Sequence, residues 1–158
     1  MRPASDAQMI VRTLRERGLT VATGESLTGG LVVAALVDVP GASAVVRGGT
    51  VAYVPDVKTA VLGVDADLIA REGTVHPDVA VQLARGAARV FGADLGIGTT
   101  GVAGPGPAEG KAAGTVFVAV VDATGVLVEE LHAAGDRDAV RHAAVAAALS
   151  VVRARLEP

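Results

Sequence analysis

The sequence has no cysteine among its 158 residues. Without thiols the protein forms no disulfide bonds, holds no zinc through thiolates and has no cysteine nucleophile. Histidines are scarce too, and His76, His132 and His142 lie far apart, which argues against the paired spacing of a helical metal site. We therefore expect an activity that needs neither a metal nor a cofactor.

Aromatic residues make up only 2% of the chain, as Tyr53, Phe91 and Phe117, and the net charge is −3. A nucleic-acid-binding surface needs a basic face or aromatic side chains on which bases stack, so we expect no nucleic-acid partner. No apolar run approaches the roughly 20 residues that cross a bilayer, and the first residues lack the core of a signal peptide. We expect a cytoplasmic protein without membrane contact.

Hydrophobic residues nevertheless reach 51%, so the core must consist of Ala, Val and Leu. The length suits a single domain over residues 1–158. Helical and strand-like patterns alternate, which predicts an α/β fold, a three-layer α/β/α sandwich with a mixed sheet. We predict strands over 19–22, 44–54, 93–100, 115–121 and 126–133, and helices over about 6–17, 31–37, 65–72 and 77–91, with others opening at Pro55 and near Arg137. Gly48-Gly49 in the second strand suggests a bulge or a close backbone approach, and the 77–91 helix should bury Val79, Leu83, Ala87 and Val90.

The segment Thr23–Gly30 lies between an apolar strand-like run and an apolar run of helical spacing. At such a turn the N–H groups of a helix start can stabilise a hydroxyl, a phosphate or an oxyanion, although Ser26 or Thr28 could equally serve only as a helix cap. The segment departs from the G-x-S-x-G nucleophile elbow because Thr28 replaces the last glycine. The chain also lacks Asp and His partners in the required order, which disfavours a hydrolase of that type.

Two further segments, Tyr53–Lys58 and Thr99–Lys111, lie at predicted strand ends, where α/β folds collect their binding sites. The second is not a phosphate loop, because it is one residue too long and Ala112 replaces the Ser or Thr. Lysine occurs only twice among 14 basic residues. Since a desolvated lysine can lose its proton and act as a base, Lys58 near the single tyrosine is a candidate, against the alternative of a solvated lysine and a core aromatic.

Five segments carry a resemblance to a known family: Gly24–Gly30, Gly48–Tyr53 with Lys58, Thr100–Pro105, Lys111 before Gly114–Val116, and Gly135–Arg137 with Arg141. In this order they are similar to the CinA C-terminal domain family, the nicotinamide-nucleotide amidases also called nicotinamide mononucleotide deamidases. The resemblance covers residues 13–155. We expect the stand-alone form, without the activity of the large domain that often precedes this one.

The resemblance implies metal-free hydrolysis of the carboxamide of nicotinamide mononucleotide, giving nicotinate mononucleotide and ammonia in a homodimer or higher homo-oligomer. Ser26 would be the nucleophile, with Lys58 and Tyr53 managing the protons. The expected substrate-binding residues are Glu25, Thr28, Gly29, Gly30, Thr100, Gly101, Gly104, Lys111, Arg137 and Arg141. Among them Thr28, Gly29 and Gly30 would hold the oxyanion, and Arg137 or Arg141 the phosphate.

The chain departs from the family pattern where Gly24 precedes Glu25 and where Leu27 replaces a cysteine beside Ser26. Its 105–110 segment is also shorter and less acidic than usual. Two other readings stay open: a catalytically idle nucleotide-binding or regulatory module, in which 24–30 only cradles a phosphate, and a structural oligomer assembled through the Ala-rich last helix.

Overall fold

Five strands form one mixed sheet in the computed structural model, which describes residues 5–158. The strands are β1 Val21–Glu25, β2 Val46–Val51, β3 Leu95–Gly101, β4 Thr115–Asp122 and β5 Gly125–His132. Their order across the sheet is β2-β1-β3-β4-β5. β1 is parallel to its two neighbours, β2 and β3, whereas β4 is antiparallel to β3 and β5 is antiparallel to β4. This confirms the predicted α/β fold with a mixed sheet.

Helices cover both faces of the sheet, as the three-layer prediction requires. They are α1 Asp6–Arg17, α2 Leu31–Val37, α3 Pro55–Leu62, α4 Ala66–Glu72, α5 Pro77–Phe91 and α6 Arg137–Leu156, with a short 3₁₀ helix over Ala42–Ala44. One core joins α1, α2 and α6 to Val21 and Val118, and the opposite cores join α3 and α5 to Ala22 and Ala119. Within residues 5–158, no helix is long and apolar enough to cross a bilayer. Met1–Ala4, used above for the expectation about a signal peptide, lie outside the described residues.

Strand β1 runs three residues further than predicted, through Thr23, Gly24 and Glu25. It pairs with β2 on one side and β3 on the other, so its backbone is satisfied even where the side chains are polar. The sequence places Gly24 in the turn, whereas it lies within β1. A Cβ on Gly24 would lie 2.7 Å from the carbonyl oxygen of Leu83 in α5. The glycine therefore permits α5 to pack closely on the strand.

Strand β2 is shorter than predicted and carries an irregularity at the expected place. Its register with β1 shifts between Val46 and Gly48, which leaves Arg47 unpaired as in a β-bulge. A Cβ on Gly48 would lie 2.6 Å from the ring of Phe91, and one on Gly49 would lie close against Thr23. The glycine pair thus serves both predicted purposes, a bulge and a close approach.

Helix α5 buries Val79, Leu83 and Ala87 as its spacing predicts, while the fourth predicted position, Val90, stays exposed. The helix approaches β3 through backbone contacts. An added Cβ on Gly98 would lie 2.1 Å from the carbonyl oxygen of Ala80. Because packed backbone cannot move aside as a flexible side chain can, this glycine sets the distance between α5 and the sheet.

We expect Gly98→Ala to lower the free energy of unfolding by about 2 kcal/mol or more, because the new methyl group forces α5 away from β3. Urea unfolding measures the loss. Gly18→Ala is the control, since a Cβ at Gly18 meets nothing within 4 Å and only the left-handed backbone, with φ of 66°, is strained. That control should lose about 1 kcal/mol, and equal losses in the two variants would contradict the packing explanation.

Candidate active site

Ser26 lies directly after β1, where the carboxyl ends of three parallel strands meet. Its backbone N–H donates to the carbonyl of Thr99 at 3.0 Å, and the N–H of Ala52 donates to the carbonyl of Glu25 at 2.9 Å. The ends of β1, β2 and β3 are thereby held together around one serine, the position at which α/β sheets place their ligands.

Lys58 is fully buried beneath this serine, with 1% of its surface exposed. Pro55 opens α3, and the helix carries Lys58 back under the strand ends. Its Nζ donates to Ser26 Oγ at 2.9 Å and to the carbonyls of Ala52 and Tyr53 at 2.8 Å each. All three ammonium protons have acceptors, so the reading of Lys58 as a solvated helix residue is wrong.

Burial lowers the pKa of Lys58 from 10.5 to about 8, although the negative charge of Glu109 opposes the shift. An amine with this pKa is neutral in about a tenth of the molecules at pH 7. A neutral amine at hydrogen-bond distance from a hydroxyl can take its proton. Chemically, the pair Ser26 and Lys58 can act as an activated nucleophile with its base.

Glu25, expected to bind substrate, is fully buried and turned away from the cavity beside Ser26. Its carboxylate accepts hydrogen bonds from the N–H groups of Gly30, Val32 and Val33 at 3.2, 2.9 and 3.0 Å, and from the hydroxyl of Thr23. It therefore satisfies the N-terminus of α2 in place of a conventional cap. The alternative that Ser26 or Thr28 caps this helix is wrong, since Gly30 is the N-cap.

The donors predicted for an oxyanion are largely occupied. Gly29 N–H bonds the carbonyl of Ser26 at 3.0 Å, and Gly30 N–H bonds Glu25. The hydroxyl of Thr28 bonds that of Thr99 at 2.8 Å. By contrast, the N–H groups of Leu27 and Thr28 have no acceptor within residues 5–158, and of these two residues only Leu27 lines the cavity at Ser26.

A cavity of about 300 Å³ opens at Ser26. Of the predicted site residues it is lined by Ser26, Tyr53, Thr100, Gly101, Gly104 and Arg137. The others are outside this lining: Glu25, Thr28, Gly29, Gly30, Lys58, Lys111 and Arg141. The Gly-rich loop 104–109 forms the far wall, and the described residues include no group of three or more potential metal ligands.

The two candidate phosphate-binding arginines take different positions. Arg137 lines the cavity, and its guanidinium donates to the carbonyl of Gly104 and to the hydroxyl of Tyr53, both at 2.7 Å. Arg141 instead donates to the carbonyls of Leu27 and Thr28 at 2.9 and 3.2 Å. Arg137 thus faces the ligand space, whereas Arg141 braces the turn that carries Ser26.

Tyr53 is not a core aromatic, because its side chain is 54% exposed. Its hydroxyl bonds Arg137, and no hydrogen bond within residues 5–158 joins that hydroxyl to Ser26 or Lys58. The contact with Lys58 is made by the backbone carbonyl of Tyr53. The residue therefore touches both sides of the site, through its ring in the cavity and through its backbone below.

Sequence reasoning missed Thr74, Val75 and Glu109, which also line the cavity. The Glu109 carboxylate accepts from Thr74 N–H at 2.9 Å, from the Thr74 hydroxyl at 2.8 Å and from Val75 N–H at 3.0 Å. Burial would raise the pKa of Glu109, but these hydrogen bonds and the charge of Lys111 hold that pKa below its ordinary range. The only sequence signal was a single acidic residue in a loop otherwise rich in Gly and Pro.

Comparisons with known proteins show the family of the chain. A family model for the CinA C-terminal domain matches residues 4–156. A CinA superfamily protein from Klebsiella pneumoniae superposes with a TM-score of 0.92 at 31% identity, covering 96% of this chain and 95% of that one. The competence/damage inducible protein CihA from Agrobacterium tumefaciens gives 0.88 at 34% identity, with 99% and 100% covered.

Longer relatives match as well. A CinA-like protein of Anaeromyxobacter sp. (strain K) is 47% identical over 150 residues, which cover 94% of this chain and 37% of that protein. Another from Frankia casuarinae is 43% identical over 148 residues, covering 94% and 34%. The chain spans about a third of the length of the curated relatives it matches.

The lowered pKa of Lys58 predicts how the free energy of unfolding depends on pH. It is lower in the folded chain, at about 8, than its ordinary 10.5, so between these values the unfolded chain binds more protons and rising pH favours folding. Compared with Lys58→Met, the free energy of unfolding of the parent protein should rise by about 2 to 3 kcal/mol between pH 7 and 10.5. Urea unfolding across this range measures both. Parallel curves would contradict the lowered pKa.

Proposed function

Because this chain belongs to the CinA C-terminal domain family, we propose that it hydrolyses the carboxamide of nicotinamide mononucleotide to nicotinate mononucleotide and ammonia. One observation carries the proposal, the 2.9 Å hydrogen bond between the buried Nζ of Lys58 and Oγ of Ser26. A module that only binds a nucleotide has no need of a buried amine against a hydroxyl. The arrangement is instead that of a serine nucleophile with its base.

In the proposed first step, neutral Lys58 takes the proton of Ser26 as Oγ forms a bond to the amide carbon. The carbonyl π electrons move to its oxygen, which becomes the oxyanion. We assign the free N–H group of Leu27 to that oxyanion, because Leu27 lines the cavity and directly follows the nucleophile. This assignment replaces Gly29 and Gly30, whose N–H groups are already bonded, and Thr28, which lies outside the cavity.

The carbon–nitrogen bond then breaks as protonated Lys58 returns its proton to the leaving nitrogen, directly or through Tyr53. Ammonia departs, and an acyl ester on Ser26 and a neutral Lys58 remain. A water molecule gives a proton to Lys58 and attacks the ester; the bond between the acyl carbon and Ser26 Oγ breaks, and Lys58 returns the proton to Oγ, which releases the acid and restores the Ser26 hydroxyl. We place Tyr53 on the leaving-group side, since its hydroxyl lies in the cavity on Arg137 while its carbonyl orients Lys58. The protons thus circulate among groups of the chain, and no step calls for a metal.

Arg137 is the residue we assign to the substrate phosphate. It stands in the cavity wall, and a guanidinium can bind a phosphate through two parallel hydrogen bonds. Thr100, Gly101 and Gly104 line the space between Arg137 and the strand ends, where the nucleoside would lie. Arg141 keeps a supporting role, because its donors are used by the backbone of the nucleophile turn.

Ser26→Ala should abolish ammonia release from nicotinamide mononucleotide, with activity of the parent protein surviving in excess EDTA. Coupled ammonia detection measures both, and an unchanged circular dichroism spectrum and melting temperature show that the variant is folded. A variant that retains activity would overturn the serine mechanism. If the parent protein releases no ammonia but nicotinamide mononucleotide raises its melting temperature, the idle binding module is the better account.

Arg137→Gln should raise KM for nicotinamide mononucleotide about ten- to hundredfold, the value of lost hydrogen bonds to a charged group. With nicotinamide riboside, which lacks the phosphate, the same variant should change KM far less. Arg141→Gln is the matched variant from the same helix, and it should lower kcat for both substrates because the nucleophile turn loses its brace. A similar loss on both substrates in Arg137→Gln would argue against a phosphate contact.

A further inference from the structure

We propose that Glu109 is a positioning residue of the Ser26 site, whose carboxylate fastens the Gly104–Lys111 loop over the nucleophile and supplies the counter-charge of the buried Lys58 ammonium. This inference rests on the proposed function for its consequences in catalysis. The geometry behind it is independent of any substrate. Glu109 lies 83 residues after Ser26 in the numbering of the chain, and it enters the site only through the fold.

The Glu109 carboxylate lies in a seat, by which we mean the hydrogen-bonding site formed by Gly73, Thr74 and Val75. Thr74 and Val75 donate both backbone N–H groups and a hydroxyl to its two oxygens at 2.8 to 3.1 Å. Gly73 closes the seat from below, since a Cβ at that glycine would lie 2.7 Å from Glu109 Oε2. A larger residue at Gly73 would therefore displace the carboxylate.

The backbone of Glu109 also indicates a constraint. Its φ of 52° is the only positive value at a non-glycine residue within residues 5–158. This left-handed conformation costs about 1 kcal/mol or more for a residue with a Cβ. The carboxylate hydrogen bonds offset that cost, so the loop holds a glutamate where glycine would fit the backbone more easily.

The seat is coupled to the strand ends. The hydroxyl of Thr100, at the end of β3, donates to the carbonyl of Thr74 at 2.7 Å. Glu109, Thr74 and Thr100 thus form a chain of contacts from the loop to the strand beside Ser26, and all three line the cavity. Fastening the loop at Glu109 fixes the wall of the cavity opposite the nucleophile.

Glu109 lines the same cavity as Ser26, whose hydroxyl touches the Lys58 amine, so its charge acts on that amine. The atoms that touch Nζ are one hydroxyl and two carbonyls, from the β1 turn and from the residues after β2, and none of them is ionised. Glu25 is engaged by α2, and Tyr53 and Arg137 bond each other across the cavity. Glu109 is the carboxylate whose charge favours the protonated form of Lys58, and Lys111 is its own cationic neighbour.

The chain suits a direct test because Lys58 and Lys111 are its only lysines. Protein labelled with ¹³C at lysine Cε gives two resonances, which Lys111→Gln assigns by removing one. Titration by NMR then reports the pKa of Lys58 without any substrate. Glu109→Gln removes the charge and keeps the shape, whereas Thr74→Val removes one hydrogen bond to Glu109 and keeps the charge.

We expect the midpoint of Lys58 to move to lower pH by about half a pH unit in Glu109→Gln, the size of an interaction between charges several Å apart when the dielectric constant is close to that of water. Thr74→Val should leave the midpoint in place, and both variants should speed hydrogen exchange in the 104–111 loop. Glu109→Asp keeps the charge and should titrate close to the parent protein, which provides a second variant if Glu109→Gln folds poorly.

An unmoved midpoint in Glu109→Gln, or an equal movement in Thr74→Val, would overturn the counter-charge. Loop exchange unchanged in both variants would overturn the fastening. In the ammonia assay, the acidic limb of the pH–rate profile should move to lower pH in Glu109→Gln together with the NMR midpoint. Because the titration needs no turnover, failure of the amidase proposal and failure of this one give different results.

Discussion

The hydrogen bond between the buried amine of Lys58 and the hydroxyl of Ser26 constrains everything around it. Removing an amine from water is costly, and the chain limits the cost with two backbone carbonyls and a serine oxygen. Those carbonyls belong to the residues between β2 and α3, so strand, turn and helix must all keep their places for the amine to stay satisfied. Burial lowers the pKa of this amine, which is the property that the proposed role as a base requires.

The buried carboxylate of Glu25 fixes the turn that carries Ser26, just as the buried amine of Lys58 contacts the Ser26 hydroxyl. Glu25 immediately precedes Ser26, and its carboxylate is bonded to the N-terminus of α2, which holds the intervening turn in a defined shape. Arg141 grips the same turn through the carbonyls of Leu27 and Thr28. The Glu25 carboxylate occupies the N–H group of Gly30, and that of Gly29 is bonded within the turn to the carbonyl of Ser26, whereas those of Leu27 and Thr28 have no acceptor within residues 5–158. The availability of donors in the turn is therefore decided by the Glu25 side chain and by bonds within the turn itself.

The sequence was sufficient for the order of elements and for the residues at the strand ends, because periodicity and glycine-rich turns are local signals. It was insufficient for Glu25, which the family resemblance placed among the substrate-binding residues, whereas its carboxylate is bonded to the N-terminus of α2. Glu109 and Thr74 were missed because they meet across 35 residues of chain, through bonds between a side chain and backbone that leave no pattern. Val90 was misassigned because helical spacing fixes a stripe but not where the sheet beneath it ends.

Helix α6 gives this site an unusual order of assembly. It contributes Arg137 to the cavity and Arg141 to the nucleophile turn, yet it is the last element of the described chain to be synthesised. Strand β1, with the nucleophile behind it, leaves the ribosome long before. Since a domain generally folds as a unit, the site around Ser26 is complete only once α6 has joined the sheet. The contact between Arg141 and Leu27, 114 residues apart in the chain, therefore ties the readiness of the Ser26 site to the folding of the whole domain.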